Sequence, residues 1–141
     1  MSKYSKYLIQ NPIDYGEMRY YDQGYYGPNV WYKGAEYNSN FTMCIVRTEW
    51  DQVMEESAHT HDFDMYLWLL PVDPNDMENL GCEVEYCFGE GDEQEIFVLT
   101  KTCSIFCPKG VVHGPLTFRN MTKPVYLVHG SVAEDYKTWR K

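Results

Sequence analysis

Three histidines have the residue type and spacing of a metal site. His59-Thr60-His61 places two imidazoles two residues apart, so on a strand they would project from the same face. His113 lies farther along the chain, just after the turn Pro108-Lys109-Gly110. Neutral imidazole is a good ligand for zinc, iron, nickel and copper. We therefore expect His59, His61 and His113 to bind one divalent metal ion.

The segments that carry these histidines have the pattern of short strands separated by turns. From Asn40 onward, runs of β-branched, aromatic and other apolar residues alternate with turns that contain Gly or Pro. In the run 82–88, Glu83 and Glu85 alternate with apolar residues, which is typical of a strand with one buried face. The pattern predicts an all-β sandwich or barrel, in which only the stretch 132–141 would form a short helix.

Residues 1–40 differ from the rest of the chain. They hold nine of the thirteen tyrosines together with several glycines and prolines, which gives frequent turn signals and no helical period. Tyrosine has an apolar ring and a polar tip, so it suits an interface that is partly wet. We expect an N-terminal arm over residues 1–40 that packs on the barrel or on a partner subunit, and a barrel over residues 41–141.

The two histidine motifs resemble those of the cupin superfamily. The first family motif, HxH followed by a glutamate, corresponds here to the segment 59–66, and the second, which contains PxGxxH, corresponds to the segment 102–117. The resemblance implies a double-stranded β-helix, the jelly-roll barrel of the cupins, over about residues 40–130. It also implies a divalent transition metal (Fe, Zn, Mn or Ni) and a small molecule bound inside the barrel.

The chain departs from the family pattern at the acidic ligand. The glutamate of the first motif should fall at position 65 or 66, where this chain has Met65 and Tyr66. A site of two histidines and one carboxylate needs an anionic oxygen, which a thioether does not supply. Thr102 and Thr117 also replace the first glycine and the last asparagine of the second motif.

Several arrangements would remain open to such a site. The three histidines alone could hold the ion, with free positions for water or substrate. Asp62 or Asp64 could supply the carboxylate, although Asp64 does not share the parity of the histidines on a regular strand. Glu83 or Glu85 could supply it from another strand. The last alternative is a barrel with no metal, in which the histidines are core residues or contact an organic ligand directly.

Two further residues are candidates for proton transfer, namely His129 and Tyr66. An unperturbed imidazole has a pKa near 6.5, so His129 would suit a general acid or base if it faced the barrel interior. The predicted function is a metal-dependent enzyme of the lyase, isomerase or dioxygenase type that acts on an oxygen-rich metabolite. The alternative is a non-catalytic barrel that binds a metabolite without a complete metal site.

Composition limits the partners and the compartment. The chain has 141 residues and a net charge of −9, which does not favour nucleic acid as a partner. No segment has the length of apolar residues or the pattern expected of a membrane span or a secretory signal, so we expect a cytoplasmic protein. The five cysteines contain no CxxC pair and are expected to be reduced. The resemblance and the aromatic arm together predict a homodimer.

The charges are also unevenly distributed along the chain. Residues 51–95 contain fourteen acidic side chains and no Lys or Arg, whereas residues 100–141 contain seven bases and two acids. In an antiparallel sheet these two regions could form weakly stabilising pairs across neighbouring strands. The alternative is an acidic outer face that contributes to solubility.

Overall fold

Strands with one buried and one open face dominate the structure. The computed structural model describes residues 2–15, 28–55, 58–135 and 139–140. In these residues twelve strands form two antiparallel sheets, and three 3₁₀ turns cover Ser5–Tyr7, Gly34–Tyr37 and Gly91–Glu93. The all-β class predicted from the sequence is confirmed.

The first sheet has six strands in the order β1-β2-β3-β11-β6-β9. Their bounds are β1 Ile13–Asp14, β2 Asn29–Tyr32, β3 Thr42–Thr48, β6 Met65–Pro71, β9 Cys103–Cys107 and β11 Val125–Ser131.

The second sheet has the order β12-β5-β10-β7-β8, with β4 paired to β10 beside this path. Its strands are β4 Gln52–Glu55, β5 His59–Thr60, β7 Asn79–Phe88, β8 Glu95–Lys101, β10 His113–Arg119 and β12 Trp139–Arg140.

The core lies between the two sheets and is filled from alternate positions of their strands. In β6 the odd-numbered residues are buried and the even-numbered residues are more exposed. Strand β3 alternates in the corresponding way, as does β11 over residues 125–128. Phe118 and Val84 of the second sheet belong to the same buried cluster as Val46 and Leu69 of the first sheet. This alternation decides which side chains can reach the interior.

The acidic and basic regions of the chain meet across the structure. Arg119 contacts Glu85 at 2.7 Å on neighbouring strands, and Lys123 lies 3.3 Å from Asp76 and 3.6 Å from Asp73. Asp76 also accepts hydrogen bonds from the backbone in its own loop, and these bonds hold the pKa of its carboxyl well below the usual range. Each of these ion pairs joins a base of the basic region to an acid of the acidic region.

Both ends of the chain add short strands to the sheets. Strands β1 and β2 extend the first sheet beyond β3, so part of the predicted arm belongs to the sheet, while residues 16–27 of that arm lie outside the described residues. The helix predicted near the C-terminus is wrong where the chain is described, because Trp139 and Arg140 pair with β5 as a strand. Across the described residues, no helix has both the length and the hydropathy to cross a membrane.

The burial pattern predicts a large difference between two leucines. Leu69 of β6 is fully buried, whereas 74% of Leu8 is exposed. We expect Leu69→Ala to lower the free energy of unfolding by about 2–5 kcal/mol, because it removes core contacts and leaves a cavity. Leu8→Ala should change it by less than about 0.5 kcal/mol. Urea unfolding followed by circular dichroism checks both, and equal effects would contradict the assignment of β6 to the core.

Candidate metal centre

Three buried imidazoles meet at one end of the space between the sheets. His59 on β5 and His113 on β10 are direct partners across the strand ladder, and His61 follows β5 at the next inward position. The ring centroids are 4.3 Å apart for His59 and His113, and 5.0 Å for each of the other two pairs. One possible ligand nitrogen from each residue lies within 4.8 Å of the other two. The structure thus brings together the three histidines predicted as metal ligands.

Two hydrogen bonds join the loops that carry these histidines. The backbone N–H of Gly110 donates to the carbonyl oxygen of His61 at 3.0 Å, and the backbone N–H of Lys109 donates to Oδ1 of Asp64 at 2.9 Å. Gly110 has a φ of +82°, a conformation that glycine adopts without steric cost. The turn before His113 is therefore held directly against the segment that contains His61.

The strand that begins at His113 is irregular at its start. The register between β10 and β7 shifts between His113 and Leu116, and Gly114 within this bulge has a φ of +90°. A bulge lets a strand redirect a side chain that regular pairing would place elsewhere. Here it leaves His113 buried opposite His59.

Two polar atoms lie against Nδ1 of His113. The carbonyl oxygen of Val111 is 3.0 Å away. A hydrogen bond to this oxygen requires the proton on Nδ1, and that tautomer keeps the lone pair of Nε2 for a metal ion. The Sγ atom of Cys107 lies 2.9 Å from the same Nδ1, on the side of the ring away from Nε2.

Aromatic rings pack against two of the histidines. The ring of Phe63 stacks on His61 at 4.7 Å and 18°, and the ring of Tyr86 lies parallel to His113 at 6.4 Å and 9°. Both aromatic side chains are buried. Sequence reasoning placed Tyr86 on the apolar face of its strand but missed its position beside His113. The alternation in 82–88 was the available signal, although it does not say which strand lies opposite.

Met65 holds one of the two positions at which the resemblance placed an acidic ligand. Its side chain is buried, and its partner across the strands is Cys107, which is also buried. This corner of the interior therefore contains a thioether and a thiol. Both groups are neutral and soft, and neither supplies the anionic oxygen of a typical site with two histidines and a carboxylate.

The four acidic residues considered as replacements lie elsewhere. Asp64 accepts a hydrogen bond from the backbone N–H of Lys109, and Asp62 is exposed. Glu83 is exposed on the outer side of β7, and Glu85 is paired there with Arg119. None of them joins the histidine cluster. The parity of the strands accounts for Glu83 and Glu85, which alternate with the buried residues of β7.

His129 lies on the inward side of β11. Its partners across the two neighbouring strands are Cys44 and Leu67, both buried, and its ring meets the ring of Trp31 edge to face at 6.2 Å. Burial raises the pKa of the Cys44 thiol to about 12, so this thiol stays protonated at neutral pH. Among these neighbours, His129 carries the imidazole that the sequence singled out for proton transfer.

Tyr66 lies on the opposite side of the same sheet. It alternates with the buried residues Met65 and Leu67 on β6, and its ring packs on Phe106 at 5.2 Å. The structure therefore places Tyr66 on the outer side of β6, away from the histidine cluster.

The donor set fits a divalent transition metal. Three imidazoles converge, and all three are shielded from water. In the part of the chain that the structure describes, this is the only group of three or more His, Cys, Asp or Glu residues close enough to share an ion.

Comparison with known proteins identifies the fold. No protein-family model matches the chain, and no curated protein does. Among solved structures, HppE with Fe(II) is similar over 86% of this chain and 56% of its own, with a TM-score of 0.57 and 18% identity. Oxalate oxidase in complex with the substrate analogue glycolate is similar over 78% and 52%, with a TM-score of 0.54 and 13% identity. Vicilin from hazelnut (Corylus avellana) is similar over 72% and 26%, with a TM-score of 0.50 and 13% identity.

These likenesses confirm the predicted double-stranded β-helix fold. The chain spans about half of the two enzymes and about a quarter of the vicilin. One fold thus covers two enzymes and a vicilin, so the fold alone does not assign an activity to this chain.

The hydrogen bond from the backbone N–H of Lys109 to Asp64 predicts a loss of stability when the carboxylate is removed. We expect Asp64→Ala to lower the free energy of unfolding by about 1–2 kcal/mol, because a backbone N–H loses a charged acceptor. Asp62→Ala is the matched control, since Asp62 is exposed, and it should have almost no effect. Urea unfolding gives the free energies, and hydrogen exchange of the Lys109 amide should accelerate only in Asp64→Ala. An unchanged amide would contradict the proposed link between the loops.

Proposed function

We propose that the protein is a metal-dependent enzyme that acts on a small oxygen-rich metabolite inside the barrel. His59, His61 and His113 would hold the ion, which would be iron, zinc, manganese or nickel. The observation that carries this proposal is the buried cluster of three converging imidazoles. The likeness to oxalate oxidase and to HppE with Fe(II) supports it, because both are enzymes on the same fold.

The charge of the site favours an anionic substrate. Three neutral imidazoles leave the charge of a divalent ion uncompensated, and Met65 stands where the family has a carboxylate. An oxygen anion of the substrate, from a carboxylate or an enolate, would supply the missing negative ligand. The glycolate bound to oxalate oxidase is a small hydroxy acid of this kind.

The side chains around the cluster suggest how the reaction would proceed. When bound, the ion would polarise a substrate oxygen as a Lewis acid, and iron would in addition permit oxygen chemistry. His129 would accept or donate the proton, because its imidazole faces the interior. Phe63 and Tyr86 would keep water from the imidazoles that they cover. This arrangement serves a lyase or isomerase as well as a dioxygenase.

One observation favours a second function. Met65 is buried beside Cys107, and no acidic residue among those described replaces the family glutamate at the cluster. A barrel that binds a metabolite without catalysis would not need that glutamate. The metal content of the protein distinguishes the two functions.

The first prediction from this proposal concerns metal content. Natively purified protein should contain about one equivalent of a divalent transition metal, because three buried imidazoles would hold it and leave a position open for substrate. Elemental mass spectrometry measures this content and names the ion. His61→Gln should lose the metal, whereas His129→Gln should keep it, since His129 lies outside the cluster.

Folding of the variants has to be confirmed separately. Circular dichroism shows whether His61→Gln retains the sheet structure. The melting temperature of metal-free wild type should rise when the ion is added back, because a ligand that binds the native state stabilises it. A wild type that holds no metal after reconstitution with each of the four ions would overturn the enzyme proposal in favour of the binding barrel.

A second prediction tests the charge of the substrate. Metal-loaded wild type should bind oxalate or glycolate at least about tenfold more tightly than the neutral analogue ethylene glycol, because only the anions compensate the ion. Isothermal titration calorimetry measures the three affinities, and metal-free protein is the control. If the anions bound no better than ethylene glycol to the metal-loaded protein, the prediction of an anionic substrate would be wrong, whereas the metal site itself would not be contradicted.

A further inference from the structure

Strand β8 forms an open, apolar edge of the second sheet. Within the described residues it pairs only with β7, and it has seven residues without a proline. Its side chains are unusually exposed for their type, at 59% for Ile96, 43% for Phe97 and 56% for Val98. An open edge strand presents unpaired N–H and C=O groups that another strand can bind. Native proteins commonly protect such edges with central charges, prolines or bulges, whereas the middle of β8 is apolar throughout.

The sequence of β8 is complementary to itself when it is read in the antiparallel direction. We propose that two copies of this chain pair through β8, with a two-fold axis at Val98. In that register Glu95 lies opposite the partner's Lys101, and the same pair forms again at the other end. Between the two charge pairs, Phe97 lies opposite the partner's Leu99 and Val98 lies opposite itself. Two equal charge pairs around one axis are what a closed, isologous dimer requires.

Other registers of the same strand lack this complementarity. An axis at Phe97 would place Glu95 opposite the partner's Leu99 and leave Lys101 without an acidic partner in the strand. An axis at Leu99 would place Lys101 opposite the partner's Phe97. A shift by a single residue would also exchange the inward and outward faces of the strand. The axis at Val98 is therefore the register that satisfies both the charges and the apolar residues.

An apolar groove lies beside the inward face of β8, and a partner strand would cover part of it. Phe97 and Leu99 line an apolar groove of about 270 Å³ together with Ile105 and Phe106 of β9. Tyr86, which lies against His113, also lines this groove. Pairing of β8 would place the partner's Leu99 beside Phe97 at the rim of the groove. The dimer would thus cover apolar surface that leads toward the histidine cluster.

Charge reversal tests this register directly. Sedimentation equilibrium of wild type should show a dimer, and Glu95→Lys or Lys101→Glu should each raise its dissociation constant at least about tenfold, because two attractive pairs become repulsive. The double variant Glu95→Lys/Lys101→Glu should restore the wild-type constant to within about threefold, because it exchanges the two charges. Lys101 also lies 3.5 Å from Glu78 of its own chain. Glu78→Gln removes that contact alone and should leave the dimer unchanged.

A cross-link gives an independent test of the axis. In Val98→Cys the two thiols would face each other across the two-fold axis, within reach of a disulfide, so oxidation should give a dimer on a non-reducing gel. Ile96→Cys, which is exposed on the same strand but opposite the partner's Thr100, is the matched control and should cross-link much less. A wild type that stays monomeric at about 100 μM, where a standard-sized interface would hold, overturns the proposal. The proposal is also overturned if neither charge reversal changes the dissociation constant of the dimer while Trp68→Ser abolishes the dimer. Trp68 lies on the outer side of the first sheet.

Discussion

The constraint on which this structure depends is that side chains alternate between the two faces of a strand while only one face meets the core. On β6 this sends Met65 inward and Tyr66 outward, although the two residues are neighbours. On β7 it buries Tyr86 beside His113 and leaves Glu85 outside with Arg119. The composition near the cluster follows: among the described residues, imidazoles, aromatic rings and sulfur lie there, whereas no carboxylate joins the three histidines.

Local patterns predicted the features that depend on neighbouring residues. The spacing of His59 and His61 predicted two imidazoles on one face of a strand. The turn Pro108–Gly110 marked the motif in which His113 was predicted as the third ligand. The sequence could not show that Asp64 caps the N–H of Lys109, because that contact joins two loops that are distant in the chain. The helix expected near the C-terminus failed for the same reason, since pairing of β12 with β5 outweighed the local preference. Long-range pairing was the information that single-sequence patterns lacked.

The loss of the family carboxylate changes the chemistry that the site can support. An acidic side chain in a site neutralises part of the metal charge. Three neutral imidazoles do not, so a bound anion would have to compensate the charge. Met65 and Cys107 make the nearby wall neutral and polarisable, and the bond from His113 to Val111 orients one ligand without adding charge. The fold brings three buried imidazoles together, and under the proposed function the charge of an ion held there would be compensated by the substrate.

The order of the strands has a consequence for how the barrel is made during synthesis. Strand β11 lies between β3 and β6, and β10 lies between β5 and β7, so each sheet is completed by a strand from the last third of the chain. Earlier strands emerge from the ribosome without their central neighbours, and the acidic stretch 51–95 emerges before the bases that contact it. Because contacts that join distant residues slow folding, each sheet lacks a central strand until β10 and β11 have been synthesised.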